Sequence, residues 1–234
     1  MQKTNKAVLR IKKFVPELSE VEIVLWLSCA FSISLWFIRF LTTGSFFHGF
    51  LIWNLFLAYL PYRISNYLFN HAVNTTRNSH YWIVFCCWLL FIPNSFYIIT
   101  DLFHLDEGTA APQWFDLVLI FSFAWNGLLF GTLSIRKIET TLETKISPRI
   151  KWLFIYGIMW LNAMGIYIGR YLRFNSWDVI TNPFQLSGDI FYLCFHPLRH
   201  RSEWAMIFCF FVLTTLIYKS IGNIGNTTNN KQQR

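Results

Sequence analysis

Long apolar runs broken by short polar segments are the dominant pattern of this chain. A bilayer core of about 30 Å needs roughly 20 residues at 1.5 Å each, and six stretches approach that length. They run from Ile23 to Leu41, Phe46 to Tyr62, Tyr81 to Ile99, Trp114 to Ile135, Trp152 to Gly169 and Trp204 to Ile221. The first two are joined by the turn-like Thr43-Gly44-Ser45, and the third contains Pro93 and Asn94, which predicts kinked or non-helical last turns. Between the fifth and sixth runs, Tyr171 to Glu203 is too long and too apolar for a simple loop. Its stretch Ile190 to Phe195 is too short to span and predicts a short interfacial helix.

The pattern therefore predicts an all-α polytopic membrane protein. A basic cytoplasmic tail occupies residues 1–20, a bundle of six transmembrane helices 21–221, and a disordered cytoplasmic tail 222–234. The first run starts about twenty residues in and is long enough to span, so it is expected to stay as an anchor.

Composition agrees. Of 234 residues 54% are hydrophobic and only 14% charged, too little charge to cover a soluble domain of this size. The five cysteines lie mostly inside apolar runs with no zinc or disulfide spacing and read as small apolar side chains. A net charge of +8 would point to nucleic acid in a soluble protein; here membrane orientation accounts for it. With six spans, the tails and the segments after the second and fourth runs share one face, leaving only Arg39, Arg170, Arg173, Arg199 and Arg201 of 20 basic residues to the other. The rich face is expected to be cytoplasmic, with both termini there and the protein in the plasma membrane. Asp101, Asp106, Glu107, Asp116, Asp178, Asp189 and Glu203 fall on the outer face.

Polar side chains next to lipid are the informative ones, because an unpaired charge or amide there costs kilocalories. Two clusters qualify, Pro93 to Leu105 and Gly169 to Asp178, and six spans bring both to the outer face. The candidate polar site is Asn94, Asp101, His104, Arg170, Arg173, Asn175 and Asp178. A helix continuing past Gly169 would hold the Arg170 and Arg173 guanidinium groups on one side, where two forks suit phosphate or carboxylate, or pair with Asp101, Asp178 or headgroups. Asp101 and His104 are weak metal candidates, two groups where zinc needs three or four, so no bound metal and no cofactor is predicted. Asn54, Asn94, Asn126 and Asn162 place one amide in each of four runs, as glue between helices or as a polar conduit. No phosphate loop, nucleophile elbow or His-Glu-x-x-His helix is present.

The two clusters also resemble the bacterial membrane-protein family catalogued as domain of unknown function 1361. The stretches that carry the resemblance are Pro93-Asn94-x-x-Tyr97 with Thr100-Asp101-Leu102-x-His104-Leu105, and Gly169-Arg170-aromatic-x-Arg173-aromatic-Asn175-Ser176-Trp177-Asp178. By order of elements it extends from about Leu51 to Tyr218. The resemblance implies a multi-pass membrane protein and brings no reaction, substrate or cofactor.

Three functional readings stay open. In the one needing fewest assumptions, the chain is structural or accessory, its outer polar network locking helices or docking another membrane protein. In the second it binds or acts on an anionic or lipid-linked substrate at the outer leaflet. In the third it is a small-solute transporter. Membrane lipids are expected partners in all three, and nucleic acid in none.

Overall fold

The computed structural model describes residues 2–71, 79–105, 110–143 and 146–231. Arg77, Asp106, Glu107, Lys145 and Arg234 lie outside the described residues, as do the side chains of 2–20, 143 and 223–231, where most of both tails falls. The helices are α1 (Gln2–Thr43), α2 (Phe50–His71), α3 (Ser79–Tyr97), α4 (Gln113–Glu143), α5 (Pro148–Arg170), α6 (Asp178–Thr181), α7 (Pro183–Phe195) and α8 (Arg201–Lys231). Two 3-10 segments, Phe47–Gly49 and Ile98–His104, complete the described secondary structure.

Among the described residues five stretches are long and apolar enough to cross a membrane: Val21–Thr43, Ser79–His104, Gln113–Leu142, Pro148–Arg170 and Arg201–Gly222. Their outward faces confirm the solvent they are built for. Leu27, Phe31 and Leu41 of α1, Phe121 of α4, Leu153 of α5 and Phe208 of α8 are all exposed, while Arg39, Asp116 and Asn126 are buried. That inversion is stable only where the surroundings are themselves apolar. The chain is an all-helical, multi-pass membrane protein.

The second apolar run departs from its expected bounds. Residues 47–49 form a 3-10 turn and α2 then continues well past Tyr62 to His71. Asn54, Pro61, Arg63 and Asn66 dilute its hydropathy below that of the five spans; one face of the helix, with Trp53 and Phe56, is exposed and the other is packed. Leu51, Ala58 and Leu68 are fully buried against α3 and α4. His48, near the start of the expected run, sits buried in the 3-10 turn before α2.

Pro93 does not end α3, which stays α-helical to Tyr97. The proline removes one N–H from the ladder, and from Ile98 to His104 the chain tightens into a 3-10 helix. This narrower helix carries Asp101 and His104. Opposite it, α5 begins with Pro148 at its first turn, where the absent N–H is harmless, and presents Gly165 and Gly169 to α3. A β-carbon at Gly165 would overlap Pro93, and one at Gly169 would press on Tyr97 at 3.0 Å. Glycine here allows two helix backbones to approach as larger residues would not.

The interfacial helix expected at 190–195 is longer, beginning at Pro183 as α7 and preceded by the single turn of α6. Leu186 and Leu193 of α7 are buried, the latter packing with Ala163 and Tyr167 of α5 and Ile207 of α8. Phe184, Phe191 and Phe195 face outward at 89, 61 and 75% exposure.

Polar contacts gather at both ends of the bundle. At one end Tyr62 donates to Glu22, Lys137 to Asn66 and Tyr218 to Glu139, with Lys151 paired to Glu139 at 3.2 Å. The other end holds Arg39, Asp101, Asp116, His104 and Arg170, the end to which the sequence assigned its candidate site.

Candidate functional site

Asp101 is 1% exposed and accepts a hydrogen bond from Asn54 Nδ2 at 2.8 Å, so α2 caps the 3-10 end of α3. Three residues on, His104 Nε2 lies 2.8 Å from Arg170 Nη1 at the last turn of α5. A guanidinium has no acceptor, so Arg170 donates and the imidazole nitrogen carries its lone pair toward it. The same guanidinium lies over the Phe103 ring at 5.2 Å, and His104 meets the Phe50 ring edge-on at 5.1 Å. Asp101, His104 and Arg170 thus join α2, α3 and α5 at one level.

A second link ties α3 to the chain that follows α5. Asn94 Nδ2 donates to Ser176 Oγ at 2.8 Å and to the Phe91 carbonyl at 3.0 Å, and the Ser176 hydroxyl donates on to the Leu90 carbonyl at 3.3 Å. Asn175 and Asp178 form a separate, exposed turn. The Asn175 backbone N–H and the Thr181 hydroxyl donate to the Asp178 carboxylate at 2.6 and 2.9 Å. Those bonds, the backbone one foremost, hold the Asp178 carboxyl below the usual carboxylate range.

Arg173 does not join Arg170. α5 ends at Arg170, and Arg173 adopts φ 60°, turning the chain so that the Phe174 N–H reaches the Ile168 carbonyl. The parallel pair of guanidinium groups expected from a continuing helix is therefore not formed. Arg173 is exposed and has no hydrogen bond or ion pair among the described residues. No three His, Cys, Asp or Glu side chains converge among those residues either.

Sequence reasoning missed three features. Arg39 of α1 and Asp116 of α4 form a buried two-bond ion pair at 2.6 and 3.1 Å; both had been placed on this face but not together. A charge one turn inside an apolar run has to be paired, and that rule was the available signal. The second is Ser176, the partner of Asn94. The third is a cavity of about 590 Å³ between α2, α3, α5 and α7. Its walls are apolar, among them Leu57, Leu89, Leu90, Met164, Ile168 and Ile190, and its polar lining is supplied by Asn54, Asn94, Asn175 and Ser176. Its apolar walls are ordinary helix-face residues, so although both motif segments border it, the space itself could not be read from them.

The four amides read as interhelical glue behave differently. Asn54, Asn94 and Asn126 bond Asp101, Ser176 and Ser32 on other elements. Asn162 is fully buried with neither amide atom bonded among the described residues.

A multi-span helical membrane protein, with a polar layer closing one end and an apolar cavity beside it, is the class that fold and site define. The chain belongs to the family described as protein of unknown function (DUF1361), whose model matches residues 53–217. That range holds the cavity, both motifs and all seven candidate residues, and excludes α1. Comparison with curated proteins and with solved structures found no match.

Proposed function

We propose that this chain is a six-span plasma-membrane protein, with both termini cytoplasmic, that binds a lipid at the outer leaflet in the cavity between α2, α3, α5 and α7. The cavity carries this reading. It lies along helices whose solvent is lipid, its walls are apolar, and Asn94, Asn175 and Ser176 of the motif segments join Asn54 of α2 in its polar lining. An apolar cavity bordered by exposed Trp53, Cys86 and Leu161 is open to acyl chains by chemistry alone. The sixth span is α2, whose 22 residues reach about 33 Å. Six spans and the basic bias toward the Lys137 end support the orientation.

Native mass spectrometry of protein released from lipid nanodiscs tests the reading. Wild-type protein is expected to retain one lipid and Leu57→Trp, which fills the cavity, to lose it. Wild-type protein that emerges empty, or a Leu57→Trp variant that retains lipid equally, counts against it.

A second reading has its own observation. The bonds Asn54–Asp101 and His104–Arg170 tie three helix ends together, which favours a structural or partner-docking role for the polar layer. Arg170→Ala would then lower protein level or partner co-purification without changing lipid retention.

A further inference from the structure

We propose that Arg173 is an anion-recognition residue for a phosphate-bearing lipid headgroup at the mouth of this cavity. The inference rests on the lipid-binding reading and deepens it. Arg170 was the equal candidate on sequence, but its guanidinium is already engaged by His104 and the Phe103 ring. Arg173 is exposed and has no partner among the described residues. It directly precedes Phe174, Asn175 and Ser176, three consecutive cavity-lining residues.

The backbone adds a second, independent observation. Arg173 is the one non-glycine residue with positive φ among those described. Left-handed geometry at a helix end is normally given to glycine, because a β-carbon there crowds the following carbonyl. An arginine imposes that strain and forgoes the residue that would relieve it. The geometry of the turn needs no side chain, since the Phe174 N–H closes it on the Ile168 carbonyl. What arginine adds over glycine is a cationic fork suited to phosphate oxygens. The cavity beside it takes acyl chains, so the anion is assigned to a lipid headgroup and not to free phosphate.

Substituting Arg173→Gly separates turn from recognition, because it should favour the fold while removing the charge. Native mass spectrometry of protein from nanodiscs mixing phosphatidylglycerol with phosphatidylcholine reads the lipid retained. Wild-type protein is expected to prefer phosphatidylglycerol about tenfold. Arg173→Gly should retain both lipids equally, with a melting point about 2–4 °C higher, and Arg173→Lys should keep part of the preference. Retention of both lipids without preference by wild type, or an unchanged preference in Arg173→Gly, overturns this inference and leaves the lipid-binding reading standing. Wild-type protein that retains no lipid overturns both. Inorganic phosphate that removes the preference at millimolar concentration reassigns the site to a free anion and overturns the lipid headgroup.

Discussion

Arg39 and Asp116 put two full charges where neither water nor lipid reaches them, tying α1 to the first turn of α4. Such a pair gains little over an apolar contact, but half of it is costly to keep. Arg39→Ala is therefore expected to lower the stability of detergent-solubilised protein by about 3–5 kcal/mol, whereas Arg39→Met with Asp116→Leu stays near wild type. Thermal unfolding of the three variants measures this. Asn54→Leu, which leaves the Asp101 carboxylate buried without its 2.8 Å donor, is expected to cost about 1–3 kcal/mol by the same assay. At this scale the sequence was partly legible. Spacing and span parity placed Asp101, His104 and Arg170 at one end, and the structure brings His104 to Arg170. Arg173 was not legible, because its direction depends on one φ angle that the three-residue spacing conceals. Asn54 was visible as an amide in a helix, but its choice of Asp101 depends on the 3-10 tightening after Tyr97.

Helix ends and faces decide where those residues go. Five spans could be read from hydropathy, whereas α2 carried an intermediate signal because Asn54, Pro61, Arg63 and Asn66 interrupt its apolar residues. α7 was expected only over the apolar stretch from Ile190 to Phe195, but the helix runs on through Gly188 and Asp189 back to Pro183, where a proline is at home in a first helical turn. The α3–α5 contact depends on Gly165 lying against Pro93. Gly165→Leu is expected to force the helices apart, at a cost of about 1–3 kcal/mol in thermal stability and with loss of retained lipid. The Asp178 turn leading into α6 should depend on pH in one direction. Its carboxyl is held below the ordinary range, so its contribution is fully present above the unfolded value of about 4. It is lost as pH falls through the lower folded value. Amide exchange at Asn175 should accordingly be protected at pH 5, relative to its intrinsic rate, and lose that protection only in stronger acid.

For the whole molecule, the central claim is that the ends of α3 and α5 meet at one face of the bundle, so that two motifs separated along the chain border one cavity. Everything said of the lipid depends on that meeting, and the Asn94–Ser176 bond at 2.8 Å is its most direct sign. Cysteines placed at both positions, in a chain whose five native cysteines are replaced by alanine or serine, can be treated in native membranes with a short bifunctional thiol reagent. The expected result is a cross-linked monomer formed by the double variant and by neither single variant. A double variant whose two thiols both react with a monofunctional reagent, yet never cross-link, would contradict the account.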